Sequence, residues 1–365
     1  MIVTYLAERL PDFPWDRLAP YGDIARAHAD GIVDLSVGTP VDSVPDVIAR
    51  ALAEATNSPG YPLTAGTLQL REAMVAWASR VLGAHLTTAE VMPTIGSKEL
   101  VALLPTLLGL TSADVIAIPE IAYPTYDVGA RVSNSRIVRA DSVEQWSADR
   151  PALVWLNSPS NPTGRVLSIE QMRETVEWAR ANESIVVSDE CYFSLGWTTT
   201  PVSVLDPRVC GTSHDRVLAV HSLSKRSNLA GYRVGMLMGD QALIGPVLEA
   251  RKHLGLIPPG PIQQAAIVAM ADDDHVDVQR ERYRARRSLL APALEGAGFQ
   301  IDLSDAGLYL WCTRGESSWD SVRWLADRGI LVAPGEFYGA AGAAHVRVAL
   351  TATDERIAAA VSRLG

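Results

Sequence analysis

Val217-Leu218-Ala219-Val220-His221-Ser222-Leu223-Ser224-Lys225-Arg226-Ser227-Asn228 decides how the rest of this chain is read. Four apolar residues form a short strand, and small hydroxyl residues then flank a single lysine. Arg233 follows eight positions after Lys225, between Gly231 and Gly235. A lysine at such a strand end is held against packed core instead of being solvated. Burial disfavours the ammonium form, which lowers the pKa and leaves an amine suited to Schiff-base chemistry with an aldehyde or ketone. The same residues, taken alone, also describe a surface loop with two ordinary cations. The neighbouring strand ends have to choose between these.

Outward from Lys225, residues 90 to 240 alternate short apolar runs with amphipathic helical stretches. The runs are Val91–Thr94, Asp114–Ile118, Ala152–Leu156, Ser184–Ser188 and Val217–Val220. Helices are expected from near Ser97, from near Tyr123 and over Ser168 to Ala181. Short continuous apolar strands separated by helices indicate an α/β fold with a largely parallel sheet covered on both faces. In such sheets ligands gather beyond the carboxyl ends of the strands, and the polar clusters of this chain fall there.

Gly96-Ser97-Lys98-Glu99 opens a helix, where free N–H groups and the positive dipole end favour an anion, though many helices begin this way without a ligand. It is not a P-loop, because GxxxxGK[ST] is absent. Asn157-Ser158-Pro159-Ser160-Asn161-Pro162-Thr163-Gly164 holds Asn161 in a proline-stiffened loop; its amide either donates to a ligand or caps its own backbone. Asp189 ends an apolar strand, where a carboxylate is costly unless it meets a cation or caps a helix, and Tyr192 follows three residues on. Tyr123 sits at another strand end, suited to cover a planar ring or to join the core. Arg347 lies on an alternating strand, either as a bidentate carboxylate holder or as a surface cation.

The net charge of −10 supplies no overall basic field for nucleic acid. Three widely spaced cysteines, with no CxxC, disfavour a disulfide framework or a cysteine-based zinc site, no metal is expected, and the usage suits a reducing cytoplasm. The best membrane candidate, Leu100 to Leu110, is too short and contains Pro105. The N-terminal residues, which include charges and a proline, do not read as a signal peptide. A cytoplasmic protein is expected. Residues 1 to 40 read as an irregular arm, 41 to 257 as a large domain and 258 to 365 as a smaller α+β domain, with a long helical region over about 262 to 296.

Taken in order, Gly96-Ser97-Lys98, Tyr123, Asn161-Pro162-Thr163-Gly164, Asp189-x-x-Tyr192, Ser222-x-Ser224-Lys225, Arg233 and Arg347 closely resemble the class I/II aminotransferases, pyridoxal 5′-phosphate (PLP) enzymes of the aspartate aminotransferase fold (fold type I). The resemblance covers about Val37 to Leu350. It implies a large domain with a mostly parallel seven-stranded sheet, a smaller α+β domain and an N-terminal arm packed with the latter. It implies Lys225 as the residue that bonds the cofactor and shuttles the proton, and Asp189 as partner of the pyridine nitrogen. Asn161 and Tyr192 would bond the 3′-oxygen, and Tyr123 would stack on the ring. Gly96, Ser97, Lys98, Ser222, Ser224 and Arg233 would cradle the phosphate. Arg347 would hold the substrate carboxylate beside Gly38 and Asn161. Tyr61 resembles the tyrosine that reaches the neighbouring subunit's phosphate, which implies a homodimer with shared sites.

Within the class, Gly96–Leu100, Ile121–Tyr126, Ser224–Asn228 and Leu10–Asp16 look most similar to bacterial N-succinyldiaminopimelate aminotransferases. These exchange an amino group between the succinylated substrate and glutamate/2-oxoglutarate in the lysine and diaminopimelate branch. The alternatives on the same scaffold are an aspartate, aromatic or histidinol-phosphate aminotransferase, a β-lyase or a decarboxylase. A non-catalytic PLP-binding regulator carries a DNA-binding domain before the fold, whereas only about 40 residues, not basic, precede the core here.

Overall fold

The computed structural model describes residues 5–365; the first four residues of the expected arm lie outside them. Its centre is a seven-stranded sheet in the order Val91–Thr94, Gly235–Gly239, Val217–Ser222, Ile185–Asp189, Leu153–Asn157, Val115–Ile118 and Arg136–Arg139. Only Gly235–Gly239 runs antiparallel to its neighbours. The sheet is mostly parallel, as the apolar runs predict.

Val217–Ser222 shows why it is covered twice. All six residues are buried, and alternate side chains point to opposite faces. Val217 and Ala219 enter one apolar core with Trp77 and Met172. Leu218 and Val220 enter the other with Leu100, Tyr126 and Trp155. The valine and leucine side chains each contribute about 1.5–3 kcal/mol on full burial, so a one-residue slip of register is strongly opposed. The covering helices begin where sequence signals place them. Ser168 caps Ile169–Ala181 and Gln171 returns the bond to complete a capping box; Thr67 caps Leu68–Trp77.

The smaller sheet is antiparallel, in the order Ala333–Pro334, His345–Ala349, Tyr309–Thr313 and Gln300–Asp302. The N-terminal residues pack with it: Val33–Asp34 forms a separate two-stranded parallel sheet with Ile330–Leu331, and Leu18, Ala25, Val33 and Leu35 are buried in the same core. The arm is not irregular throughout, because Ala19–Arg26 is an α-helix. The long helical region is two helices, Gly260–Ala271 and Asp274–Gly296, separated at Asp272 and Asp273. Ala265, Ala266, Ala269 and Met270 belong to the large sheet's core. We therefore propose that the chain leaves the large domain near Asp272, later than residue 258, and that residues 5–40 and the C-terminal part form the smaller domain together.

Candidate active site

The short helix Leu223–Arg226 follows directly on the central strand and carries Lys225. Its Nζ donates to the carbonyl of Gly38. Burial, aided by the nearby charges of Arg347 and Arg233, pulls the Lys225 amine below its ordinary pKa despite opposition from Tyr309 and Cys191. A Cβ on Gly38 would collide with the Tyr309 hydroxyl, so only glycine lets that carbonyl approach so closely.

Asp189 ends the next strand and is 5% exposed. One carboxylate oxygen accepts the Tyr126 hydroxyl at 3.0 Å and the other the Cys191 backbone N–H at 3.2 Å. Burial pushes this carboxyl up, against those hydrogen bonds. Among the described residues no cation forms an ion pair with it. No helix follows, so Asp189 is not an N-cap. Asn157 fixes the adjoining loop: its Nδ2 donates to the Asp189 carbonyl at 2.9 Å and its Oδ1 accepts the Asn161 N–H at 2.8 Å. Ser158–Pro159 and Asn161–Pro162 are both cis.

Arg347 comes from the smaller sheet and is 3% exposed. Its guanidinium donates to the Asn161 side-chain oxygen at 2.9 Å and to the Ser36 carbonyl at 2.7 Å. It lies 3.9 Å over the Tyr309 ring. Its Nε has no acceptor. Tyr192 and Tyr309 share a hydroxyl contact of 3.1 Å. Burial alone would raise the Tyr309 phenol, but Arg347 and Lys225 outweigh it and hold the pKa below the usual value. Tyr123 meets Tyr126 edge-on at 5.8 Å, and burial pushes its phenol up to about 12.

A cradle adjoins this cluster. Ser222 accepts the Ser224 N–H at 3.1 Å, and their hydroxyls meet at 2.9 Å. Gly96, at φ 70°, opens the helix Gly96–Leu107, and a Cβ there would strike the Arg233 guanidinium. Ser97 sits in the same first turn, half-buried, while exposed Lys98 extends its ammonium over the Phe13 ring at 5.8 Å. Tyr61 stands apart: it is fully exposed and touches none of these groups.

The structure thus gathers Lys225, Gly38, Asp189, Tyr192, Asn161, Arg347 and Tyr123, with Gly96, Ser97, Ser222, Ser224 and Arg233 beside them. Sequence reasoning did not single out Tyr309, Tyr126 or Asn157. Tyr126 and Asn157 lie inside stretches that were quoted for other residues, whereas Tyr309 reads as one more aromatic on an alternating strand.

Residues 30–364 match the model of the aminotransferase class I and II family. The chain belongs to that family, and it is an aminotransferase. It is 60% identical over 97% of its length to a probable aminotransferase of Mycobacterium tuberculosis, covering 85% of that protein. It is 56% identical over 97% of its length to the 4-dedimethylamino-4-oxo-anhydrotetracycline transaminase of Streptomyces rimosus, covering 99% of it. Among solved structures, a probable N-succinyldiaminopimelate aminotransferase of Thermus thermophilus aligns with TM-score 0.88 at 28% identity, over 96% of this chain and 99% of that one. The fold is that of the aspartate aminotransferases, and the cofactor of the family is PLP.

The residues present fit that cofactor. A buried carboxylate without a cation suits a protonated ring nitrogen. Small hydroxyls, an arginine and a helix N-terminus with room only for glycine suit a phosphate. No group of three or more His, Cys, Asp or Glu side chains able to hold a metal occurs among the described residues.

Proposed function

We propose that this aminotransferase exchanges the amino group of a carboxylate-bearing α-amino acid with 2-oxoglutarate, one substrate leaving before the other enters. The observation that carries this is Arg347, a buried guanidinium that has no carboxylate partner among the described residues and a free Nε. A substrate α-carboxylate offers the bidentate acceptor that such a group lacks.

When bound, PLP supplies an aldehyde that condenses with amines and a protonated ring that takes up electron density from the substrate Cα. The chain's residues supply the rest. Lys225, with its lowered pKa and the Gly38 carbonyl to orient it, carries the proton from Cα and returns it. Asp189 is the partner for the ring nitrogen, Asn161 and Tyr192 for the 3′-oxygen, and Tyr123 covers the ring. The backbone amides of Gly96, Ser97 and Lys98, with Ser222, Ser224 and Arg233, hold the phosphate. In a homodimer, Tyr61 reaches the neighbouring subunit's site. Tyr309, over which Arg347 lies, keeps the guanidinium level with the cofactor pocket.

For the donor we propose N-succinyl-LL-2,6-diaminopimelate, in lysine and diaminopimelate biosynthesis. The likeness to the Thermus structure supports it. The higher identity to the Streptomyces transaminase favours a second reading, amination of an oxo group on an anhydrotetracycline-like skeleton. A panel of half-reactions separates them. Cofactor-loaded protein is mixed with succinyldiaminopimelate, glutamate, aspartate, aromatic amino acids and histidinol phosphate, and the oxo product is counted. One equivalent from succinyldiaminopimelate and from glutamate alone supports the first reading; none from succinyldiaminopimelate overturns it.

A further inference from the structure

We propose a second oxyanion site, separate from the cofactor's phosphate cradle, in a cleft of about 450 Å³ between the loop 194–201 and the helix Asp274–Gly296. Neither Ser222, Ser224, Arg233 nor Arg347 lines it. Three arginines do. Arg280 and Arg284 stand four residues apart on one helix face, a like-charge spacing that the exposed Asp277 and Glu281 only partly offset. Arg226, on the short helix that carries Lys225, is the third and is 5% exposed.

Each of these cations has one carboxylate partner, and the five donors of each guanidinium are only partly used. Arg226 donates to the Ala269 carbonyl at 3.0 Å and reaches Asp273 only at 3.3 Å, and its Nε has no acceptor. Asp273 gives its shorter contact, 2.7 Å, to Arg80. Burial drags the Arg226 guanidinium down to about 10, with Asp273 opposing. Arg280 also has a buried Nε without an acceptor, and its ion pair at 3.1 Å is with Asp277, a side chain 65% exposed. Arg284 pairs with exposed Glu281 at 3.2 Å and lies 5.6 Å from the Trp197 ring centroid. Exposed pairs of this kind hold arginines weakly.

With Glu281 on Arg284 and Arg80 on Asp273 counted, four arginines meet three carboxylates, Asp273, Asp277 and Glu281, so one positive charge remains. That balance suits a small oxyanion rather than a polyanion. Guanidinium forks match phosphate and carboxylate geometry alike, and Thr199 and Thr200 on the facing loop add hydroxyls. The ligand class is a phosphate ester or carboxylate of metabolite size. Occupancy ties the residue after Lys225 to the helix that leads into the smaller domain.

The test uses the PLP-saturated protein, whose cofactor phosphate fills the cradle. Thermal midpoints are compared in inorganic phosphate, in citrate and in sodium chloride at equal ionic strength, for wild type and for Arg280→Gln/Arg284→Gln. The site predicts a midpoint raised by phosphate or citrate over chloride, near 100-fold in the folding equilibrium at about 100 times Kd. The double variant keeps only the smaller, general rise that such salts give any folded protein, and keeps its activity in chloride. Phosphate acting alone assigns phosphate esters, and citrate acting alone assigns carboxylates. No rise over chloride in wild type, or the same rise in the variant, overturns the site. If the double variant does not fold, Arg280→Gln is compared with wild type by 31P line broadening of phosphate, and equal broadening overturns it.

Discussion

Lys225 and Asp189 carry opposite consequences of burial. Lys225→Ala removes the amine proposed to bond the cofactor and to carry the proton. Borohydride reduction followed by peptide mass analysis is expected to find no cofactor on the 223–226 peptide, and turnover falls by at least about 10²- to 10⁴-fold, while circular dichroism stays native. Asp189 behaves differently. Burial holds its folded-state pKa above the ordinary value, so its contribution to the stability of the cofactor-free chain is complete at low pH and is lost as the pH rises through that raised pKa. Asp189→Asn removes this loss. The cofactor-free variant is expected to be more stable than wild type at pH 7, by about 1 kcal/mol or more, yet to bind PLP more weakly; a cofactor-free variant less stable than wild type contradicts the assignment. Arg347→Met is expected to lower kcat/KM for carboxylate-bearing donors about 10- to 100-fold, the worth of a charged hydrogen bond, chiefly through KM. Lys225 and Asp189 were legible because each follows or ends an apolar strand, where a charge needs a reason, and Arg347 because it is the one charge among the apolar residues Val346 to Leu350. Tyr309 was not, since its role depends on Gly38, Lys225 and Arg347, brought to it from three distant parts of the chain.

At the level of elements, the connection 36–43 is a strap between the two domains. The carbonyls of Ser36, Val37, Gly38 and Ser43 accept from Arg347, Thr351, Lys225 and Asn228. Asp42 anchors it, accepting two bonds from Arg286 at 2.6 and 2.8 Å and one from Gln279 at 2.7 Å. Burial pushes the Asp42 carboxyl up, but those donors outweigh it and hold the pKa low. Its stabilisation is present above the ordinary aspartate pKa and is lost as the pH falls through the lowered one. Asp42→Asn leaves Arg286 with Asp354 as its one carboxylate and is expected to cost about 1.5–3 kcal/mol, the worth of a charged hydrogen bond, measured by urea unfolding at pH 7, with the difference from wild type shrinking in acid. The strands that pack on both faces were readable as unbroken apolar runs. Two were not. Arg136–Arg139 is an edge strand with charged ends, and Gly235–Gly239 begins and ends in glycine, which weakens any strand signal. The break at Asp272 was also hidden, because helical periodicity continues on both sides of it.

Across the whole molecule, Tyr61, Leu63 and Leu254 are exposed on loops joined by the buried side chain of Gln263, which bonds the backbone at Leu63, Thr67 and Pro258. We propose that this face forms the homodimer. Tyr61→Phe is expected to leave the sedimentation coefficient of a dimer unchanged and to weaken PLP retention about 10-fold; a monomeric wild type contradicts the shared site. In the proposed reaction one Lys225-centred site takes an amino group from a donor and keeps it. This is tested most directly by a single turnover of PLP-loaded protein with 15N-glutamate and no acceptor. One equivalent of 2-oxoglutarate per chain is predicted, with the 15N retained on the protein until an oxo acid is added, and none with Lys225→Ala. Release of ammonia or carbon dioxide instead, or an undiminished yield from Lys225→Ala, would contradict it.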